Sequence, residues 1–193
     1  FFILFSLAAL LLVFPAAGYQ QKSAEEKQMM EMLKKYGMPD KNHDFLKKYA
    51  GDWDVETKNW AQPGTEPAIG KATLKNQVIF DGRYVKCQFE SVMMGQTFKG
   101  LEIIGYDLFQ NKYVTFWIDS MSTNFYLTSG TLDASGKVLT ETGTWPDPLT
   151  GKTQKVKNVT TFLEDGKYRF EMFMVMPDDK EFKSMELLAT RKM

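Results

Sequence analysis

From position 52 to the C-terminus, apolar and polar residues alternate with a period of two, and turn-forming residues break the alternation about every 10–14 positions. The breaks are Pro63-Gly64, Asp81-Gly82, Met94-Gly95, Gln110-Asn111, Ser120–Thr123, Ser135-Gly136, Pro146–Gly151, Asp165-Gly166 and Pro177–Asp179. They delimit ten strands, near 52–61, 69–80, 83–93, 97–107, 112–119, 124–132, 137–145, 153–163, 167–176 and 181–192. Asp81-Gly82 and Asp165-Gly166 are the sharpest breaks, because a two-residue type I′ turn needs positive φ at both central positions. No helical pattern separates the strands, which excludes parallel βαβ units. A run of antiparallel strands this long leaves costly unpaired edges unless the sheet closes on itself. The pattern therefore predicts an all-β fold, a ten-stranded antiparallel up-and-down barrel.

Upstream of Gly51 the period is 3.6. Met29, Met32, Leu33 and Tyr36 share one helical face over 23–36; Ser23 and Glu26 form a capping box, and Gly37 and Pro39 stop the helix. A second short helix is expected over 42–50, with Phe45, Leu46 and Tyr49 apolar. Residues 1–14 are apolar throughout, apart from Ser6, and are followed by Pro15, Ala16, Ala17 and Gly18, the arrangement of a secretory signal and its cleavage site. The stretch is shorter than the roughly 20 residues of a membrane span. The expected organisation is a signal peptide over 1–18, an N-terminal helix and linker over 19–40, and a barrel domain over 41–193. It implies a periplasmic or extracellular location with no stable span after cleavage.

Composition removes several function classes. Lys+Arg and Asp+Glu balance at 24 each, so no basic excess points to nucleic acid or to an anionic membrane surface. One His (His43) and one Cys (Cys87) make a zinc site implausible, and no alternating Asp/Asn loop suits calcium. Phosphate-binding, dinucleotide and Gly-x-Ser-x-Gly motifs are absent, so no cofactor, metal or catalytic residue is assigned. With a single Cys there is no internal disulfide, and Cys87 reads as a buried, inert thiol between Val85 and Phe89.

The hairpin over 97–119 carries the most informative pattern. If its turn is Leu108–Asn111, Tyr106 faces Tyr113, Ile104 faces Thr115, Glu102 faces Trp117, and the next hairpin sets Trp117 beside Tyr126. One face then holds Tyr106, Tyr113, Trp117 and Tyr126 with Glu102 and Asp119. The other holds Leu101, Ile103, Val114, Phe116, Ile118, Phe125 and Leu127. Both are apolar for a sheet with one wet side. Either the aromatic-plus-carboxylate face lines an amphiphilic ligand cavity, or the aliphatic face is core and the aromatic face lies under the 23–36 helix or in a subunit contact. Met172, Met174 and Met176 alternate with Phe170 on another strand, which suits a soft apolar lumen or a gap-filled core equally.

An ordered series of motifs extends along the chain: Phe98-x-Gly100, Gly105-Tyr106-Asp107, Trp117-x-Asp119, Gly130-x-x-Asp133, Asp147-Pro148-x-x-Gly151-Lys152, Glu171-Met172, Met185-Glu186 and Thr190-Arg191. With Gly51-x-Trp53 and Asp81-Gly82-Arg83, it resembles the bacterial domain-of-unknown-function 1579 family over about 40–192. Ala189 departs from an expected Tyr. The resemblance implies a fold and, for many members, export; it implies no activity. Gly51-x-Trp53 also resembles the start of lipocalins and the wider calycin group. That resemblance implies that Trp53 packs under Arg191 from the last strand, a cation–π contact worth about 0.5–2 kcal/mol. No haem ligand carries over, since His43 precedes the first strand.

These readings lead to an expected exported barrel that carries or scavenges a small hydrophobic or amphiphilic ligand. Trp117, Asp119, Tyr126, Tyr106, Met172 and Met174 are the candidate contacts, and Trp53 and Arg191 are structural. The alternatives are a small enzyme of isomerase or hydrolase type using a buried Asp119 or Glu102, and an envelope protein acting through an outer-face dimer or partner contact.

Overall fold

A computed structural model describes residues 17–147, 151–164 and 166–193, with side chains from residue 23 onward except that of Asp147. Ten strands form one closed antiparallel barrel: β1 (Gly51–Asn59), β2 (Ala68–Ile79), β3 (Tyr84–Met93), β4 (Gln96–Asp107), β5 (Lys112–Asp119), β6 (Tyr126–Leu132), β7 (Val138–Asp147), β8 (Lys152–Phe162), β9 (Lys167–Val175) and β10 (Glu181–Arg191). Each strand pairs with its sequence neighbours, and β1 pairs with β10 to close the ring. The expected fold class is thus the observed one, with strand limits that differ by only a few residues. Closure satisfies the backbone groups an open sheet would leave at its edges.

Alternation sets the two surfaces. Trp53 and Val55 of β1, Leu74 of β2, Val85 and Cys87 of β3, Ile104 of β4 and Leu139 of β7 are all buried and inward-facing. The register of the 97–119 hairpin is the one its side chains predict, with Tyr106 opposite Tyr113, Glu102 opposite Trp117 and Trp117 opposite Tyr126. The aromatic-plus-carboxylate face therefore points into the barrel. The aliphatic face, from Leu101 to Leu127, points out; Phe125 and Leu127 are exposed there.

One end of the barrel is closed by a 3-10 turn, Phe45–Tyr49, whose Phe45, Leu46 and Tyr49 are buried. Phe45 meets Tyr113 and Phe162 edge-on at centroid distances of 5.2 and 5.3 Å, and Tyr49 meets Phe162 at 4.9 Å. This turn is the short helix expected over 42–50, shorter than expected and 3-10 in form. Trp53 lies in this floor: its indole N–H donates to the Tyr49 carbonyl at 2.9 Å. The Arg191 guanidinium covers the ring at 4.1 Å and donates to the carbonyls of Ala50 and Lys48. Gly51 permits this arrangement, since its φ is +119° and a Cβ there would collide with the Arg191 guanidinium. Ala189, where a Tyr was expected, is fully buried opposite Tyr168, whose ring packs on Trp53 at 4.8 Å.

The N-terminal part is a separate unit, the helix α1 (Ala17–Gly37). It already includes Ala17, the first described residue, so Ser23 and Glu26 lie inside the helix. Residues 1–16 of the expected signal peptide, the Pro148–Thr150 part of one turn and Asp165 of another lie outside the described residues. Among the described residues no helix is long and apolar enough to cross a membrane. At the Asp81-Gly82 turn, Phe80, Asp81 and Gly82 all have positive φ, and the loop between the paired Ile79 and Tyr84 spans four residues instead of the expected two.

Candidate functional site

The inner face is not uniformly packed. Near the plug, Phe45, Leu46, Tyr49, Trp53, Tyr113 and Tyr168 are enclosed, while Tyr106 and Phe162 are partly buried. Between mid-barrel and the far end, Phe89, Glu102, Trp117, Phe170, Met172, Met174 and Leu187 all point inward yet keep accessible surface. Their accessible surface lies in the half of the barrel away from the plug, with Phe89 and Trp117 on one side and Phe170, Met172, Met174 and Leu187 on the other.

Trp117 forms the centre of the aromatic wall. Its ring lies 6.2 Å from Phe89 and stacks on Phe98 at 6.4 Å. The six-membered edge of the indole lies over Gly100, where any Cβ would overlap the ring; this glycine lets β4 pass beneath the indole. Opposite Trp117, Tyr126 meets Trp145 at 5.2 Å. Met172 and Met174 face inward across β8 from Asn158 and Val156. Met176, by contrast, lies past the end of β9 and is exposed.

A polar cluster lies within this apolar lining. Glu141 is buried, and one of its carboxylate oxygens accepts from the hydroxyls of Thr115 at 2.8 Å and Thr128 at 3.4 Å. Burial pushes its carboxyl up to about 7, against the lowering effect of those two hydroxyls. Glu102 stands opposite Cys87 and hydrogen-bonds with its thiol. Burial, reinforced by the charge of Glu141, raises Glu102 to about 8. Asn158, opposite Glu141 on β8, is 3% exposed and donates to the Tyr126 hydroxyl at 3.0 Å. Its Oδ1 has no hydrogen-bond partner in the protein. Asn158-x-Thr160 reads as a glycosylation sequon, but both side chains are enclosed by the barrel.

Register sets Trp117 beside Tyr126, whose hydroxyl meets Asn158 of β8, the strand that pairs with Met172 and Met174; Tyr106 lies apart from them. Tyr106 lies at the plugged end, 4.9 Å from Tyr113 and 5.7 Å edge-on from His43. The cause is strand length. Tyr106 and Trp117 share a face, but they sit at opposite ends of the β4–β5 hairpin, as register alone dictates. Asp119 sits at the far rim. Its carboxylate accepts from the Trp117 indole N–H at 3.1 Å and from the backbone N–H groups of Met121 and Ser122 at 2.9 Å, so it fixes the turn and orients the indole.

Sequence reasoning did not single out Glu141, Asn158, Thr115 and Thr128. The parity of β7 carried a usable signal: Leu139, Glu141, Gly143 and Trp145 share a face, so an acid interrupts an otherwise apolar row. A shallow depression on the outer surface, bounded by Asp54, Glu56, Lys71, Thr73 and Glu90, mixes solvated charges and has no buried polar group converging on it. Among the described residues no cluster of His, Cys, Asp and Glu has the makings of a metal site.

No curated protein matches the chain at a significant level. The family described as Protein of unknown function (DUF1579) matches residues 38–191, which is the plug and the complete barrel. A closed ten-stranded barrel with Arg191 stacked on Trp53 is consistent with a lipocalin-like fold. The chain belongs to the DUF1579 family.

Proposed function

We propose that this protein is an exported carrier or scavenger that holds a small amphiphilic molecule in the far half of its lumen. The observation that supports the reading is the partial exposure of inward-facing aromatic, Met and Leu side chains above a sealed floor. Such a cavity, mostly apolar with a few convergent polar groups, is the usual form of a small-molecule site. Thioether side chains adapt to ligands of irregular shape. Export to the periplasm or beyond is part of the proposal and rests on the apolar 1–14 stretch followed by Pro15, Ala16, Ala17 and Gly18.

The test is saturable uptake of Nile red, an uncharged apolar dye, by the folded protein. Trp117→Ala is expected to weaken uptake at least fivefold, whereas Tyr106→Phe leaves it unchanged. Equal uptake by wild type and Trp117→Ala would remove the site from the lumen.

One observation supports a second reading. A carboxyl raised to about 8 beside another raised to about 7 is suited to moving a proton near neutral pH, as a general acid or base does. In an enzyme of that kind, Glu102→Gln abolishes turnover while dye uptake persists; in a carrier there is no turnover to lose.

A further inference from the structure

The proposed lumen has a marked imbalance of charge. Among the described inward-facing residues between floor and rim there are two carboxyl groups, Glu102 and Glu141, and no Lys, Arg or His. The inward-facing cation, Arg191, is at the floor and is committed to Trp53 and to the Ala50 and Lys48 carbonyls. The acids therefore have no internal counter-ion. Buried carboxylates in folded proteins are ordinarily paired or neutralised.

The hydrogen-bonding inventory is unbalanced in the same direction. Asn158 is enclosed and uses its amide N–H on Tyr126, while its Oδ1 accepts from no protein group. Orphaned buried acceptors of this kind are uncommon. Asn158 lies directly across the ladder from Glu141, and both side chains point inward. Three groups on β4, β7 and β8 thus offer acceptor oxygens to one region, and the thiol of Cys87 and the hydroxyls of Thr115 and Thr128 are already engaged there. Trp117 is the ladder neighbour of Glu102, and the Tyr126 hydroxyl meets Asn158.

Resting on the carrier reading above, we infer that the lumen recognises an amphiphile with a cationic, donor-rich head, a primary ammonium or guanidinium, seated among Glu102, Glu141 and Asn158 with its apolar tail along Met172, Met174 and Leu187. An ammonium has three donors and no acceptor, which complements three acceptor groups and their negative charge. A carboxylate or phosphate head would face the acids and find no partner. A hydroxyl head would meet one acceptor and leave the charge uncompensated.

This arrangement also couples binding to protons. The titratable groups facing the two acids are Cys87 from β3, Tyr126 from β6, Tyr168 from β9 and Tyr49 from the plug, and burial raises all four, so they stay neutral around pH 7. The acids alone change charge there. A cationic head favours their ionised forms, so it expels protons on entry and binds more tightly as pH rises from 6 to 8.5.

The experiment compares decylamine, decanol and decanoate as displacers of Nile red from the wild-type protein, with calorimetry in two buffers of different ionisation enthalpy. Decylamine is expected to bind at least tenfold more tightly than decanol at pH 8, to tighten at least fivefold between pH 6 and 8.5, and to release close to one proton per molecule bound at pH 7. Decanoate is expected to be the weakest. In Glu102→Gln and Glu141→Gln the preference for decylamine over decanol, read as the ratio of the two affinities within each variant, falls at least fivefold. Nile red uptake with no amine preference, or amine binding without proton release, overturns the cationic head and leaves the carrier reading standing. Absence of uptake for every probe removes the carrier reading and this inference with it. The calorimetric measurement uses wild type alone, so it decides the matter even if a Gln variant does not fold.

Discussion

Replacing Glu102 by Gln should stabilise the barrel in alkali and do almost nothing in acid. The unfolded chain releases the Glu102 proton near 4.5, whereas the folded barrel holds it up to about 8. Below pH 4.5 the carboxyl is neutral in both states and contributes nothing. Between 4.5 and 8 the folded state retains a proton that the unfolded state gives up, so stability falls as pH rises. Above pH 8 both states are ionised and the full cost of the buried charge remains. The interval of roughly 3.5 pH units, at about 1.4 kcal/mol for each, sets a ceiling near 5 kcal/mol. Water reaching the hollow side of Glu102 screens the charge, so a loss of about 2–4 kcal/mol is expected. Gln keeps the shape and removes the charge. Urea unfolding of wild type and Glu102→Gln at pH 5 and pH 9, followed by tryptophan fluorescence, measures the difference directly. The two proteins should agree within about 0.5 kcal/mol at pH 5, with the variant more stable by about 2–4 kcal/mol at pH 9. A variant no more stable than wild type at pH 9, or one offset equally at both pH values, would refute the claim that Glu102 is a desolvated, unpaired acid.

Three further perturbations probe other parts of the structure. Arg191→Ala removes the cover of Trp53 and the donors to Ala50 and Lys48, and should lower stability by about 1–3 kcal/mol in thermal unfolding; a loss below about 0.5 kcal/mol would mean the floor does not depend on it. Gly100→Val places a branched side chain where the Trp117 indole lies, so it should shift the tryptophan emission and reduce Nile red uptake while the far-UV circular dichroism stays β-type; unchanged emission would contradict the Gly100–Trp117 overlap. The Cys87 thiol is enclosed and its ionisation is suppressed, so it should react with a water-soluble disulfide reagent only as fast as the barrel unfolds; rapid labelling in native buffer would show that the mid-barrel wall opens.

Architecture was legible because it is written in local rules. Turn residues fixed nearly all strand limits, and the period of two fixed which residues share a face. The paired hairpins then set Glu102, Trp117 and Tyr126 side by side. Which face was inside could not be read there, because Leu101, Ile103 and Phe116 make the outer surface as apolar as the inner one. Closure decides that question, and closure depends on β1 meeting β10 across more than a hundred residues of chain. The hairpin register already separates Tyr106 from Trp117 in height, but which end of the barrel is closed depends on where the Phe45–Tyr49 turn packs, and parity carries no information about that. The Glu102–Glu141 proximity is a property of curvature, since β4 and β7 are not neighbours in the sheet. Asn158 was visible only as a sequon, and its enclosed side chain gives it a different meaning. The helix limits failed at Ser23 because a good N-cap residue is also tolerated inside a helix when the preceding turn continues the same backbone path.

The hollow lumen is the claim on which the functional reading depends. Native mass spectrometry of the folded protein, freshly purified from its native host and compared with its denatured mass, tests that claim most directly. The account predicts a mass excess of one small organic molecule per chain, lost on unfolding and displaced by added decylamine. A folded mass equal to the bare chain, with no adduct formed at excess decylamine or Nile red, would contradict it.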